Sequence, residues 1–479
     1  MTDQNGHARL QALAVQVRDD LARTAHPAGR WVPPRVAADG TPIRDVVVVG
    51  AGQGGLAIAQ ALRRERVENI LVVDRAAYGR EGVWLQYARM PTLRSPKEFT
   101  GPDLGLPSLT YQAWHEARYG AESWHALHRI PKGHWNDYLL WYRAVLELPV
   151  RNECALTGIE PIPGGGLQLK LHTPTGTETL TTRKLVLATG QDGTGRWWMP
   201  DFVAALPERF RAATDADIDF KALAGKAVAV LGQGASAADN AATALEAGAG
   251  EVRMFVRREQ LQGMQPYLWL TFSGFLRHIG EMPDEWRWRF MAHILSLREA
   301  FPQETYDRMK RHKNFSIVRG GAWLGATVNG DRVRIETVKG AFDADYLICG
   351  TGIDIDLACR PELASFADKV ATWGDRYNPP PGEVNDRLAR YPYQSPEASF
   401  VEKVPGSAPY LSDIHDFTIG TTMSFGPFGC SINAMNIAVP KLVAGITRGL
   451  FAEDIAAHWQ TLAAHGGTVF DPAPEDAGQ

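Results

Sequence analysis

Apolar positions divide the chain into short runs separated by glycine-rich turns. Residues 45–49 are almost all valine and do not alternate with polar residues. Such a run predicts a strand buried on both faces, as in a parallel sheet. A glycine turn at 50–55, a helical stretch at 56–64 and a second apolar run at 70–73 follow. This strand–turn–helix–strand order predicts a dinucleotide-binding unit.

A second unit of the same kind lies far downstream. Residues 227–231 form an apolar run, and the turn 232–237 leads into an alanine-rich helix that extends to residue 245. The next strand, 251–256, ends at two arginines. We therefore predict an α/β fold with two Rossmann-like domains.

The first turn has the residue types that a bound pyrophosphate requires. Gly50 permits the tight turn, Gly52 lets the backbone approach the phosphates, and Gly55 lets the helix pack on the sheet. The helix N-terminus attracts the negative charge. Asp74 lies 24 positions after Gly50, where a carboxylate accepts hydrogen bonds from a ribose. The alternative, a purely structural turn, does not explain the acid.

The second turn differs from the first in the chemistry at the end of its second strand. Gly232, Gly234 and Ala237 give the pattern G-x-G-x-x-A, and Arg257 and Arg258 follow where the first unit has its acid. A guanidinium binds a 2′-phosphate that a carboxylate would repel. The alternative is a pair of solvated arginines. The two turns together predict FAD in the first unit and NADPH in the second, with hydride passing from nicotinamide to flavin.

Composition narrows the class of protein further. The net charge is −4, with 50 basic and 54 acidic residues, which gives no case for nucleic acid or an anionic membrane as partner. No apolar run is long enough for a membrane span, and the polar N-terminus does not look like a secretory signal. Four scattered cysteines without C-x-x-C favour a reduced cytoplasm; they are Cys154, Cys349, Cys359 and Cys430.

The motifs also suggest domain boundaries. Residues 8–23 carry the apolar spacing of a packing helix, and a tail after residue 470 is expected to be disordered. The expected division is an N-terminal helical extension (1–40), a first FAD-domain part (41–224), an inserted NADPH domain (225–345) with an aromatic helical insertion at about 260–325, a second FAD-domain part (346–465) and a tail (466–479).

Four further segments resemble a known family. They are Gly82-Val83-Trp84; Leu93-Arg94-Ser95-Pro96; the two strand ends 186–190 and 347–352; and the helix start 429–433. In this order, over residues 44–450, the chain resembles the single-component flavin monooxygenases, which include flavin-containing N- and S-oxygenases, amine N-hydroxylases and Baeyer–Villiger enzymes. The resemblance implies that a flavin C4a-(hydro)peroxide transfers one oxygen atom of O2 to a small organic substrate.

The resemblance and the fingerprints together give a set of candidate site residues. Those expected to bind cofactor are Gly50, Gly52, Gln53, Gly54, Gly55, Asp74, Arg75, Trp84, Arg94, Thr189, Gly190, Gln191, Gly232, Gly234, Ala235, Ser236, Ala237, Arg257, Arg258, Thr351, Gly352, Ser431 and Ile432. Asn433 and His415 are candidate catalytic residues, although a structural role for His415 stays open. No metal site is expected.

The chain departs from the family in one motif. Many members carry Phe-x-Gly-x-x-x-His-x-x-x-Trp/Phe before the second fingerprint. Here Phe210 and Phe220 fit, but Ala212 and Ala216 replace the glycine and the histidine. The Arg-x-Asp of Baeyer–Villiger enzymes is also absent. N-hydroxylation, S-oxygenation and ring hydroxylation stay open.

The aromatic insertion has two interpretations. It is either a wall of the substrate pocket or an ordinary buried helix face, on which Trp286, Phe290, Ile294 and Leu297 would align. For the whole chain, three other classes compete. A disulfide reductase lacks its cysteine pair here. A flavin oxidase or reductase without oxygen transfer, and a redox sensor that binds both cofactors, are separated from a monooxygenase only by experiment.

Overall fold

The computed structural model describes residues 4–24, 29–37, 39–297, 299–429, 431–467 and 469–470. Its strands are β1 (Arg35–Val36), β2 (Pro42–Val49), β3 (Ile70–Val73), β4 (Val150–Arg151), β5 (Ala155–Pro161), β6 (Leu167–Thr173), β7 (Gly176–Leu187), β8 (Gly195–Trp197), β9 (Arg211–Ala213), β10 (Ala227–Leu231), β11 (Glu251–Val256), β12 (Phe315–Arg319), β13 (Trp323–Asn329), β14 (Arg332–Thr337), β15 (Gly340–Ala344), β16 (Tyr346–Cys349), β17 (Ile353–Ile355) and β18 (Ile414–Asp416).

The helices alternate with these strands. They are α1 (Gln4–Thr24), α2 (Gln53–Arg64), α3 (Tyr111–Tyr119), α4 (Ala121–Ala126), α5 (Lys132–Val145), α6 (Asp201–Ala204), α7 (Ala235–Glu246), α8 (Pro266–Leu270), α9 (Ser273–His278), α10 (Asp284–Leu297), α11 (Gln303–Lys310), α12 (Trp373–Arg376), α13 (Asp386–Ala389), α14 (Thr422–Phe425), α15 (Met435–Glu453) and α16 (Ile455–Ala463). The tail expected beyond residue 470 lies outside the described residues.

The first sheet contains the valine run. Its order is β4-β3-β2-β7-β6-β5, with β18 beside β7 and β1 beside β2. Strands β4, β3, β2, β7 and β18 run parallel, whereas β5 and β6 are antiparallel to their neighbours. The last five residues of β2 include the four valines and are all buried, as predicted. Helix α2 covers one face together with α15.

The second sheet is entirely parallel. Its order is β12-β11-β10-β16-β9, and α7 packs on β10 and β11. Two expected boundaries shift. Strand β9 already belongs to this sheet, so the second unit begins before residue 225. Strand β12 belongs to it as well, so the helical insertion ends with α11 rather than near residue 325. In both places a short strand adds to a sheet edge, which the local sequence does not reveal.

The two units are joined by a double crossover. Strands β8 and β17, one from each crossing segment, pair antiparallel, so the second unit is inserted into the first. The two-domain α/β architecture is confirmed. Within the described ranges, no helix has the length and apolar character that a membrane crossing requires.

Helix α10 is rotated relative to the expected face. Trp286 is 49% exposed, whereas Trp288, Met291 and Ile294 are buried. The Trp288 indole N–H donates to the carbonyl oxygen of Glu383 at 3.0 Å, so this long-range contact fixes which face turns inward.

Candidate active site

The first glycine turn requires glycine at two positions. Gly50 has a positive φ of +106°, and a Cβ there would lie 2.3 Å from the Ala188 carbonyl oxygen. At Gly55, a Cβ would lie 1.8 Å from the Gly50 carbonyl oxygen. Helix α2 therefore packs close to β2, and its N-terminus points at the space beyond the sheet.

That space is a cavity of about 740 Å³ at the carboxyl ends of the first sheet. Fourteen of the candidate residues line it: Gly50, Gly52, Gln53, Gly54, Asp74, Arg75, Trp84, Arg94, Thr189, Gly190, Gln191, Ser431, Ile432 and Asn433. Gly55 does not line it because its role is packing. The chain thus brings segments from residues 50 to 433 to one site.

Asp74 lies at the end of β3 beside the glycine turn. One carboxylate oxygen accepts from the Ala51 backbone N–H at 2.7 Å, and the other accepts from the Ala76 N–H at 2.7 Å. Burial raises the pKa of this carboxyl above its ordinary value. Each oxygen keeps a lone pair for a ribose hydroxyl, so the geometry fits the expected role.

Besides Arg94 Nε, two buried side-chain oxygen atoms on the cavity wall have no hydrogen-bond partner among the described residues. They are Thr189 Oγ1 and Asn433 Oδ1. Buried polar atoms are normally satisfied, so both indicate a missing partner. Across the cavity, a Cβ at Gly52 would meet only the Cα of Gly82, at 3.7 Å, which leaves a slot that a side chain would fill. These observations fit a bound dinucleotide.

Arg94 lines the cavity, and its side chain also reaches the second unit. Its guanidinium makes an ion pair with Asp239 of α7, and the Asp239 side chain is only 3% exposed. Arg94 is therefore a contact between the two units as well as a candidate cofactor ligand.

The second glycine turn repeats the first with one substitution. Gly232 has φ +126°, and a Cβ there would lie 2.3 Å from the Gly350 carbonyl oxygen. Ala237 replaces the third glycine, and Gly350 compensates, because a Cβ at Gly350 would lie 2.4 Å from that of Ala237. A Cβ at Gly234 would have no neighbour within 4 Å, so the backbone there is open to a ligand. Ala235 and Ser236 begin helix α7.

The two arginines after β11 are not equivalent. Arg258 donates to the carbonyl oxygens of Ser296, at 2.8 Å, and Leu297, at 3.3 Å, at the end of α10. Arg257 is exposed and has no hydrogen bond or ion pair among the described residues. Arg257 is thus the guanidinium available for a 2′-phosphate.

The residues after β16 form hydrogen bonds with Trp198, which lies in the other segment that connects the two units. Thr351 Oγ1 donates to the Trp198 carbonyl oxygen, and the Gly352 carbonyl oxygen accepts from the Trp198 N–H at 2.9 Å. Neither residue lines the cavity, and their cofactor-binding role stays a prediction.

His415 lies outside the cavity lining. It is buried in β18, Nδ1 contacts the Glu397 carbonyl oxygen at 3.0 Å, and Nε2 has no partner among the described residues. Burial lowers the pKa of His415 to about 4, so the ring is neutral at pH 7. This placement favours the structural interpretation over the catalytic one.

The insertion forms one wall of the cavity. Helices α8, α9 and α10 contribute Tyr267, Leu270, Leu276 and Leu295, and Thr271 and Glu299 follow in the loops. Sequence reasoning missed the residues that face them from distant segments: Tyr87, Met90, Tyr391, Ile419, Thr422 and Pro427. No local signal marks them, because chain segments more than 100 residues apart meet here.

The described part of the chain contains no cluster of three or more His, Cys, Asp or Glu side chains suited to a metal ion. Cys154, Cys349 and Cys359 are unpaired, and Cys430 lies outside the described residues.

Comparisons with known proteins give this geometry a family. Residues 47–273 match the pyridine nucleotide-disulphide oxidoreductase family. The FAD-dependent urate hydroxylase of Xanthomonas campestris pv. campestris is 40% identical over 446 residues, which cover 93% of this chain and 94% of that protein. The chain belongs to the FAD-dependent monooxygenases. Its cofactors are FAD and NADPH, and it is an oxidoreductase that acts with O2.

Solved structures share the fold of this monooxygenase. The ornithine N-hydroxylase of Kutzneria sp. 744 gives a TM-score of 0.66 at 19% identity, covering 85% of this chain and 100% of that one. The ornithine hydroxylase of Pseudomonas aeruginosa gives 0.67 at 15% identity, with the same coverage. A flavin monooxygenase from Stenotrophomonas maltophilia gives 0.54 at 19% identity, covering 86% and 98%.

Proposed function

We propose that this monooxygenase hydroxylates urate in the cytoplasm. The proposal rests on the 40% identity with the Xanthomonas urate hydroxylase along 94% of that protein. The balanced reaction is urate + O2 + NADPH + H⁺ → hydroxylated urate + NADP⁺ + H2O. One oxygen atom enters the substrate, and the other leaves as water.

The cavity wall offers few free cations to the carboxylate of an amino-acid substrate. A free amino acid needs a cation for its carboxylate. The cationic side chains among the described lining residues are Arg75, Arg94 and Arg360. Arg94 is paired with Asp239, and Arg360 is paired with Glu362 and Asp192. Arg75 follows Asp74, at the end proposed for the ribose. The insertion wall carries the polar side chains of Tyr267, Thr271 and Glu299 between apolar side chains.

The chain's residues would hold FAD along the first glycine turn, with Asp74 at the ribose and Thr189 and Asn433 completing their hydrogen bonds on the cofactor. The second glycine turn and Arg257 would hold NADPH. Bound flavin, reduced by NADPH, supplies the oxygen-transfer chemistry. The insertion wall keeps water from the reacting face and holds the substrate, which limits wasteful release of hydrogen peroxide.

The test is a stoichiometry measurement on the purified FAD-loaded protein. Urate loss, NADPH oxidation and O2 uptake are followed together, with hydrogen peroxide trapped by catalase in a parallel sample. We expect a 1:1:1 ratio with urate, and no product from L-ornithine or L-lysine. NADPH oxidation that urate does not accelerate, and that ends in hydrogen peroxide, contradicts urate as substrate and favours an oxidase.

A further inference from the structure

An ion pair connects the flavin cavity to the NADPH-binding helix. Asp239 lies in α7, five residues after Gly234, so it is roughly 7 Å along the helix from the turn proposed to hold the NADPH pyrophosphate. Its partner, Arg94, is 145 residues earlier in the chain and lines the cavity. The contact therefore joins the wall of the flavin cavity to the helix that follows the second glycine turn.

The second unit holds the Asp239 carboxylate, and the first unit holds the backbone at Arg94. One oxygen of Asp239 accepts from Thr305 Oγ1 at 2.9 Å and lies 3.6 Å from the Arg308 guanidinium. On the other side, the Arg94 carbonyl oxygen accepts from Arg129, and the Leu93 N–H donates to the Ile130 carbonyl oxygen at 2.8 Å. The contact transmits position, because neither the Asp239 carboxylate nor the Arg94 backbone can move without breaking hydrogen bonds.

The charges around the pair make it sensitive to loss of one partner. Lys132 and Arg308 also act on Asp239 electrostatically. Without the carboxylate, Arg94 would face two further cations in a largely buried interface, and these would repel one another.

We propose that the Arg94–Asp239 pair sets the position of the NADPH domain against the flavin, and that Asp239 is a positioning residue for hydride transfer. The proposal rests on the proposed cofactor positions and not on urate as substrate.

The experiment compares Asp239→Asn, Arg94→Gln and the double variant with the parent protein. Anaerobic stopped-flow mixing with NADPH, without urate, gives the NADPH Kd and the limiting rate of flavin reduction. Hydrogen–deuterium exchange of the NADPH-free protein at residues 89–97 reports the interface itself. We expect each single variant to reduce flavin roughly ten- to hundredfold more slowly, with little change in Kd and with faster exchange, and the double variant to be no worse than either single one.

Glu246→Gln is the matched control. Glu246 lies on the same helix and pairs with the same Arg308, at 2.7 Å, but does not reach the first unit. It should leave the reduction rate unchanged. Asp239→Glu, which keeps the charge, should recover part of the rate and serves if the asparagine variant does not fold. Parent-like reduction by Asp239→Asn, or additive losses in the double variant, would overturn the proposal. A failure to hydroxylate urate would leave this result intact, because the measurement contains no urate.

Discussion

The guanidinium carbon of Arg89 lies 5.1 Å from the centre of the Phe220 ring, and Arg89 donates to the Ala216 carbonyl oxygen at 3.0 Å. Ala216 occupies the histidine position of the family motif, and Phe220 occupies its final aromatic position. A backbone carbonyl and an aromatic face therefore meet the first unit where many relatives carry an imidazole. The altered motif is a domain contact in this chain.

Removing this contact should lower the thermal stability of the protein. Arg89→Met keeps the side-chain length but removes the cation–π contact and the hydrogen bond, which together are worth about 1–3 kcal/mol at a partly buried site. The control is Arg209→Met, because Arg209 stacks on Phe210 at 4.5 Å but is exposed. Thermal unfolding with saturating FAD should show the larger loss for Arg89→Met. Equal losses of thermal stability in the two variants would mean that the Arg89 contact stabilises the protein no more than the exposed Arg209 contact does.

Substitutions of Arg257 and Arg258 should differ in their effects on the use of NADPH and NADH. Arg257→Ala should raise the NADPH KM by roughly tenfold to a hundredfold, about 1.5–3 kcal/mol, with little effect on NADH, because it removes a charged hydrogen bond to the 2′-phosphate. Arg258→Ala should affect NADPH and NADH alike, since Arg258 holds the end of α10. Steady-state assays with both cofactors measure this. The assignment fails if Arg257→Ala weakens both equally.

Gly52 and Gly55 should fail for different reasons. Gly55→Ala should prevent correct folding, since its Cβ would lie 1.8 Å from a carbonyl oxygen. Gly52→Ala makes only an ordinary 3.7 Å contact, so it should fold but raise the FAD Kd by about tenfold or more, ~1.4 kcal/mol, by filling the slot beside Gly82. Circular dichroism and FAD titration of apoprotein distinguish the two. Normal FAD binding by Gly52→Ala would place the pyrophosphate elsewhere.

Tyr267 and its neighbour test the insertion wall. Tyr267 lines the cavity, whereas Leu268 is 75% exposed. Tyr267→Phe should raise the substrate KM roughly fivefold to tenfold, about 1 kcal/mol, through loss of one hydrogen bond. Leu268→Ala should change neither KM nor kcat. If both variants match the parent, the substrate does not contact this wall.

His415 should make the free energy of unfolding decrease as pH falls. Its folded pKa is about 4 and its ordinary value is 6.5, so between these values the unfolded chain binds more protons than the folded one. Stability from the neutral ring is present above pH 6.5 and is lost as pH falls toward 4, on the order of 3 kcal/mol in total. Buried Asp416, with a pKa raised to about 6, acts in the opposite direction.

The comparison with His415→Gln isolates that contribution, because glutamine does not titrate. Urea unfolding with saturating FAD, measured from pH 4.5 to 7, should show the parent losing stability relative to the variant as pH falls. Parallel profiles would show that His415 is already protonated or is exposed.

The sequence by itself determined the features whose residues all lie within one strand–turn–helix–strand unit. Gly50 with Asp74, and Gly232 with Arg257, lie within about 25 residues of each other, so the sequence alone predicts both nucleotide turns and their opposite ribose chemistry. The continuous valine run likewise required a doubly covered strand, because such a surface is stable only when buried on both faces.

Only the tertiary structure decided what lies between those units. Arg94 meets Asp239 across 145 residues, Arg89 meets Ala216 across 127, and Tyr391 faces the insertion from a separate segment. Tertiary packing also decided which face of α10 is buried and that His415 lies outside the cavity lining. Each depends on how separately formed elements pack, and periodicity along one element carries no information about its partner.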